Sequence, residues 1–95
     1  MHNKNIKIGI IGLGYVGLPL AVEFGRIFNV TGYDTNLIRI KDLKAGIDKN
    51  KDILKKKILN SKKLIFTSKI NDLINCNTYI ITVPTPIKKS NIPDL

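Results

Sequence analysis

The sequence has only one cysteine and no long uninterrupted apolar run. Cys76 alone can form neither an internal disulfide nor a cysteine metal site, which suits a reducing compartment, so we expect a cytoplasmic protein. The apolar stretch that begins at Ile6 contains four glycines and Pro19 before Glu23 ends it, and no A-x-A cleavage site follows. We therefore expect neither a signal peptide nor a membrane span, and no membrane partner.

Acidic residues are also scarce, and the chain is strongly basic. Sixteen Lys and Arg residues stand against seven Asp and Glu, which gives a formal net charge of +9. Fourteen of the sixteen are Lys, and the abundance of Ile and Asn beside them is typical of an AT-rich coding sequence. The lysines of residues 41–63 lack the interleaved aromatic side chains that stack on bases. We therefore expect solvated helix surfaces and no nucleic-acid partner, although the charge keeps nucleic-acid binding as a rival hypothesis.

A chain of 95 residues is long enough for one small domain and too short for two. The apolar patterns predict strands at 6–11, 29–33, 64–66 and 79–83, and helices at 15–28, 36–46, 49–60 and 68–74. Strands that alternate with helices indicate βαβ units, hence an α/β fold with a parallel sheet. A doubly wound sheet would have the strand order 3-2-1-4, with no helix after the fourth strand to cover it.

Side-chain spacing predicts which helix faces are buried. In the first helix, small residues would let the helix lie close to a strand: Gly17, Ala21 and Gly25. In the second helix, one apolar face is expected to contain Ile40, Leu43 and Ile47. Ser68 is expected to cap the short helix that follows the third strand.

A G-x-G-x-x-G pattern at Gly12, Gly14 and Gly17 follows an apolar strand and opens a helix, with an acid at the end of the next strand. Gly12 permits a tight turn, Gly14 lets a pyrophosphate approach the backbone, and Gly17 lets the helix pack closely on the sheet. The N–H groups around Tyr15 and Val16 lie at the helix N-terminus, which favours a diphosphate. The alternative is a glycine-rich turn that only connects a strand to a helix.

Further candidate cofactor-binding residues follow the second and fourth strands. Asp34 could accept hydrogen bonds from both hydroxyls of the adenosine ribose, which selects NAD over NADP; a helix N-cap is its alternative role. Arg39, one turn into the next helix, could face the adenine end, although its spacing fits a solvated residue equally well. Val83, Pro84 and Thr85 follow the fourth strand, where a doubly wound sheet forms its ligand crevice, or they form a proline-stopped turn.

The remaining reactive side chains do not indicate catalysis. Cys76 precedes the fourth strand, at the opposite end of the sheet from the expected crevice, and is interpreted as structural. Tyr15 and Tyr79 are expected to pack against other residues, and His2 lies at the terminus. The sequence offers no nucleophile–base pair and no metal-ligand cluster, so no catalytic or metal-binding residue is assigned.

Several segments together resemble one family: IGLGYVGLPLAVEFG, GYDTNxxRIxxLxxGxD, LxFT, and YIITVPTPI followed by PDL. They are similar to the amino-terminal NAD domain of the UDP-glucose/GDP-mannose dehydrogenase family, and most similar to the branch that oxidises UDP-N-acetylhexosamines for bacterial surface polysaccharides. The resemblance implies a Rossmann-like fold, NAD as cofactor, and oxidation of a sugar C6 alcohol to a carboxylate through an aldehyde. It matches positions to the pyrophosphate loop, the ribose-binding acid, the basic residue of the next helix and the segment passing the cofactor: Gly12, Gly14, Tyr15, Val16, Gly17, Asp34, Arg39, Val83, Pro84 and Thr85.

In this family the catalytic Cys, its Lys and Asn partners and the sugar-nucleotide domain lie in later parts of a longer chain, and Cys76 is not in that segment. We therefore expect residues 1–95 to be the first part of the dinucleotide-binding domain, a fragment that is inactive alone. The nucleotide-sugar substrate would then be a partner of the full-length parent only. A stand-alone NAD-sensing module without catalysis is the alternative. The sequence leaves the sugar nucleotide and the oligomeric state open.

Overall fold

A β-branched segment near the amino terminus forms one of the two inner strands of a four-stranded parallel sheet in the computed structural model, which describes residues 5–49, 53 and 55–82. The strands are β1 (Lys7–Ile11), β2 (Asn29–Tyr33), β3 (Leu64–Thr67) and β4 (Thr78–Ile81). The helices are α1 (Gly17–Phe24), α2 (Leu37–Lys44) and α3 (Lys55–Asn60), and a 3-10 helix spans Ile70–Leu73. The strand order is β3-β2-β1-β4, which confirms the prediction of a doubly wound α/β sheet.

One face of the sheet packs against the helices and forms the core. The buried apolar side chains of this core are Ile8, Ile10, Leu13, Leu18, Ala21, Val22, Val30, Ile40, Leu43, Ile58 and Phe66. The predicted small-residue stripe of α1 is buried: a Cβ placed on Gly25 would lie 2.6 Å from the Cβ of Leu64 on β3. This close contact brings the carboxyl end of α1 onto the sheet.

The opposite face of the sheet is thinly covered within the described part of the chain. A Cβ on Gly9 would meet Leu73 and Tyr79, so the 3-10 helix packs over this face near β1. The Tyr79 hydroxyl lies within hydrogen-bond distance of the carbonyl oxygens of Leu73 and Cys76, at 2.6 and 2.9 Å, and its single proton, donated to either, holds this connection against β4. Farther along the same face the side chain of Ile81 is exposed. No helix among the described residues covers β4 there.

Several element boundaries differ from the sequence prediction. Helix α1 is shorter than predicted, because the chain leaves the helix at Gly25 and continues in turns to β2. Strand β3 extends one residue farther, to Thr67. Strand β4 begins one residue earlier and ends at Ile81, whereas position 83, the predicted end, lies outside the described residues.

Two predictions about helix α2 and the 3-10 helix are wrong. Ile47 is 46% exposed, because Gly46 adopts a φ of 81° and the next N–H turns back to the carbonyl oxygen of Asp42. Ser68 does not cap the following 3-10 helix. The N-cap residue is Lys69, which makes no side-chain capping bond, and the N–H of Lys69 donates to the hydroxyl of Thr67 at 3.0 Å.

The lysines that the structure describes occupy the surface, as predicted for solvated helix faces. Every lysine between 41 and 63 that the structure describes is exposed. Some of them pair with carboxylates on the surface, for example Lys49 with Asp42 at 3.5 Å. Among the described residues, no helix is long and apolar enough to cross a membrane.

Candidate functional site

The loop between β1 and α1 is built around glycines that have no room for a side chain. Gly12 adopts a φ of 104°, and a Cβ there would lie 2.6 Å from the carbonyl oxygen of Thr82. A Cβ on Gly17 would overlap the carbonyl oxygen of Gly12 and lie 2.8 Å from its carbonyl carbon. The tight turn and the close helix therefore both require glycine, as the motif predicted.

Gly14 is different, because a Cβ there would meet no atom within 4 Å. The space in front of Gly14 is open, and the neighbouring Tyr15 side chain is 75% exposed, so the prediction that Tyr15 packs against other residues is wrong. The protein itself therefore does not require glycine at position 14. A ligand that must approach the backbone closely would require it.

Three carbonyl groups of this loop already accept hydrogen bonds within the protein. The oxygen of Gly12 accepts from the hydroxyl of Thr82 at 2.7 Å, and the oxygen of Gly14 accepts from the second N–H of α1 at 3.1 Å. The oxygen of Leu13 accepts from two nitrogens of Arg39, Nε at 2.9 Å and Nη2 at 2.7 Å. Because these carbonyl oxygens already accept hydrogen bonds from the protein, they do not face and repel an anion that binds to the loop.

The N–H groups at the start of α1 remain available. Leu18 donates the first bond of the helix, so the N–H groups of Tyr15, Val16 and Gly17 have no acceptor among the described residues. The N-cap residue, Val16, makes no side-chain capping bond. Unpaired N–H groups at the positive end of a helix dipole form a site for an anion such as a diphosphate.

Asp34 follows β2 and faces the same loop. Its Oδ2 accepts from the N–H of Leu13 at 2.9 Å, and its Oδ1 accepts from the N–H of Asn36 at 2.9 Å. The N-cap of α2 is Asn36, whose side chain accepts from the N–H of Arg39 at 3.1 Å, so the alternative role of Asp34 as N-cap is wrong. Each oxygen of Asp34 keeps further acceptor capacity, which fits the hydroxyl groups of a ribose.

Arg39 is largely buried and bound to the protein. Its side chain is 13% exposed, and its Nη1 lies 2.8 Å from Oδ1 of Asp48, whose side chain is 1% exposed. Together with the two bonds to Leu13, the guanidinium thus links α2, the glycine loop and the segment after α2. A contact between Arg39 and an adenine stays a prediction.

The structure also adds two residues that the sequence reasoning missed. Asp48 stands with Arg39 in the family-like pattern GYDTNxxRIxxLxxGxD, but its role is not apparent from the sequence, because its contact with Arg39 forms only in the fold. Thr82 stands directly before the V-P-T-P segment, and its place after a strand that borders β1 could have indicated it. The predicted site residues Val83, Pro84 and Thr85 lie outside the described residues.

Other reactive groups are separate from this site. Cys76 is half-buried just before β4, at the end of the sheet opposite the glycine loop, as the sequence suggested. Within the described residues, no group of three or more His, Cys, Asp or Glu side chains could hold a metal ion.

Comparisons with known proteins identify what the chain is similar to. The family model described as the UDP-glucose/GDP-mannose dehydrogenase family, NAD binding domain, matches residues 6–95. The chain is 53% identical over 90 residues to a UDP-N-acetyl-D-glucosamine 6-dehydrogenase of Salmonella typhi, a match that covers 95% of this chain and 21% of that protein. It is 47% identical over 92 residues to a UDP-N-acetyl-D-glucosamine 6-dehydrogenase of Pseudomonas aeruginosa, with coverages of 97% and 22%. The chain thus spans about a fifth of the length of these curated relatives.

Solved structures show the same architecture. A UDP-D-ManNAc dehydrogenase from Pyrococcus horikoshii superposes with a TM-score of 0.72 at 36% identity, covering 87% of this chain and 21% of that one. A UDP-glucose dehydrogenase from Pyrobaculum islandicum gives a TM-score of 0.73 at 29% identity, with coverages of 85% and 21%. The Rossmann-like fold inferred from the alternating strands and helices is thereby confirmed.

Proposed function

This chain belongs to the UDP-glucose/GDP-mannose dehydrogenase family, and from that premise we propose that it is the NAD-binding portion of a nucleotide-sugar 6-dehydrogenase. NAD is the cofactor of this domain family, and the residues of the glycine loop fit it. One observation supports the proposal most directly. Three carbonyl oxygens of the loop already accept hydrogen bonds within the protein, whereas the N–H groups at the start of α1 have no acceptor among the described residues.

Each part of the site would bind a different part of the cofactor. The N–H groups of Tyr15 and Val16 would donate to the diphosphate, which can approach because Gly14 has no Cβ. Asp34 would accept hydrogen bonds from the adenosine ribose, and its charge would repel the 2′-phosphate of NADP. NAD, when bound, supplies the hydride acceptor for oxidation of the sugar alcohol.

The substrate class is proposed from the relatives. The two UDP-N-acetyl-D-glucosamine 6-dehydrogenases are about half identical to this chain, so we propose a parent enzyme that oxidises the C6 alcohol of a UDP-N-acetylhexosamine or UDP-glucose to a carboxylate. Uronic acids of this kind are precursors of surface polysaccharides in bacteria, and we propose that role for the parent. A cytoplasmic location agrees with the lone cysteine.

A titration of NAD and NADP against the wild-type chain and Asp34→Ala tests the ribose assignment. We expect the wild type to prefer NAD, and we expect the preference to shrink about tenfold or more in the variant, because charge-assisted hydrogen bonds to the ribose are lost. The ratio of the two affinities is the useful measure. Loop distortion from the lost bond to Leu13 affects both cofactors alike, since both contain the same diphosphate.

The control is Glu23→Ala, which removes an exposed carboxylate on the far part of α1. It should leave both affinities unchanged. Equal affinity of the wild type for NAD and NADP, or an unchanged ratio in Asp34→Ala, would contradict the assignment of Asp34. Absence of NAD binding by the wild-type chain would contradict the proposed function as a whole.

A further inference from the structure

Arg39 and Asp48 form a buried ion pair beside the glycine loop, and this pair has a specific effect on one peptide group. We propose that the two residues are positioning residues that fix the peptide between Leu13 and Gly14 in its diphosphate-binding orientation. The inference rests on the proposed function, because it concerns the same loop. It differs from the family expectation for Arg39, since it assigns the guanidinium to the loop backbone and not to the adenine.

The contacts of Arg39 define this role. Two of its nitrogens, Nε and Nη2, donate to the carbonyl oxygen of Leu13 at 2.9 and 2.7 Å. A peptide unit is planar and its N–H points opposite to its C=O. Because the Leu13 carbonyl is held towards Arg39, the N–H of Gly14 in the same peptide points the other way.

The preceding peptide is held in the same manner. The carbonyl oxygen of Gly12 accepts from Thr82, and the N–H of Leu13 donates to Asp34 at 2.9 Å. Leu13 itself is fully buried and anchors the loop in the core. The Leu13–Gly14 peptide is therefore the first one in the loop whose N–H has no acceptor among the described residues, and only Arg39 holds its carbonyl there.

Asp48 allows the guanidinium of Arg39 to stay buried beside the carbonyl group of Leu13. A buried guanidinium is costly unless a carboxylate compensates its charge, and Asp48 supplies that carboxylate at 2.8 Å with its own side chain 1% exposed. The other oxygen of Asp48 accepts from the N–H of Ile53 at 3.0 Å, which fixes the carboxylate in place. The planar fork of Arg reaches Leu13 and Asp48 together, which the single ammonium of Lys does not reproduce.

Titration of the full 95-residue chain with ADP and with adenosine, followed by NMR, separates this role from the alternatives. ADP contains the diphosphate that the loop binds, whereas adenosine lacks it and retains the adenine and ribose. For both Asp48→Asn and Arg39→Lys we expect the affinity for ADP to fall about tenfold and the affinity for adenosine to stay unchanged. The double variant should lose no more affinity for ADP than either single variant, because both residues act on the same peptide group.

The controls are Glu23→Gln and Arg26→Lys, which make the same chemical changes in an exposed ion pair of 3.3 Å. Neither should change the affinity for either ligand. Equal losses for ADP and adenosine in the two test variants would overturn the proposal, because an adenine contact or general destabilisation lowers both affinities. An unchanged affinity for ADP would overturn it as well.

Thermal melting measures the folded fraction of each variant. If Asp48→Asn lowers the folded fraction, the ADP and adenosine affinities of Arg39→Lys test the proposal, because this variant keeps a positive charge beside Asp48. Failure of the proposed function has a different signature. In that case the wild-type chain binds neither ADP nor NAD, which also removes the basis of the positioning role. Normal binding by the wild type together with unaffected variants rejects only the positioning role.

Discussion

Alanine at Gly17 should lower the stability of the fold, whereas alanine at Gly14 should lower the affinity for NAD, although the two glycines belong to one motif. At Gly17 the added Cβ overlaps the carbonyl oxygen of Gly12 and lies 2.8 Å from its carbonyl carbon. Both are backbone atoms, so no side-chain rotation relieves the contact. At Gly14 the Cβ meets nothing within 4 Å, and its backbone φ is outside the left-handed region.

The expected magnitudes follow from these contacts. Overpacking against backbone costs about 3 kcal/mol, which exceeds the gain of up to about 1 kcal/mol that alanine brings to a helix. Gly17→Ala should therefore lower the free energy of unfolding by about 2 to 3 kcal/mol, a large part of the stability of a small domain. Gly14→Ala should change the free energy of unfolding by less than about 1 kcal/mol, and should raise it to the extent that alanine restricts the conformations of the unfolded chain.

Urea unfolding followed by circular dichroism measures the stabilities, and calorimetric titration with NAD measures binding. Gly14→Ala should remain folded and bind NAD at least about tenfold more weakly, since its Cβ occupies the space that the diphosphate needs. Wild-type stability in Gly17→Ala would refute the packing argument. Wild-type NAD affinity in a folded Gly14→Ala would refute the assignment of the open space to the diphosphate.

Two further predictions concern the end of β4 and the isolated chain. Thr82→Val keeps the side-chain volume but removes the hydroxyl that donates to the carbonyl oxygen of Gly12. The free energy of unfolding in urea should therefore fall by about 1 to 2 kcal/mol, and NAD should bind more weakly. An unchanged free energy of unfolding together with an unchanged NAD affinity would contradict a role for that hydroxyl. The 95-residue chain should produce no NADH from NAD and UDP-N-acetylglucosamine, because the catalytic residues expected from the family resemblance lie outside it. The absorbance band of reduced nicotinamide measures NADH. Steady NADH formation would show that expectation to be wrong.

The order of the elements could be predicted from the sequence because it depends on local patterns. The apolar run of β1 is too continuous for a half-exposed strand, and β1 indeed lies between β2 and β4. The bounds of β2 were predicted correctly, since Phe28 and Asp34 frame a short β-branched segment. The burial of Ile47 was predicted wrongly, because the helical period cannot reveal that the chain turns away at Gly46.

The candidate site was predictable only where one short segment defines it. The glycine spacing indicated the loop, and the position of Asp34 after β2 indicated an acid near it. The partners of the loop carbonyls were not predictable in the same way, because Thr82 and Arg39 are separated from the loop by 70 and 26 residues. Which side chain reaches a particular carbonyl depends on how the strands pack, and no local pattern encodes it.

This dependence on distant partners implies a coupling between cofactor binding and folding. The loop conformation that exposes its N–H groups is held by residues that follow β2, lie on α2 and follow β4, so it exists only when the parallel sheet is assembled. An unfolded chain retains the G-x-G-x-x-G sequence but loses the bonds that turn its carbonyls inward. NAD should therefore bind the folded chain far better than the unfolded one, and a ligand with that preference stabilises the folded state in proportion to the logarithm of its concentration above Kd.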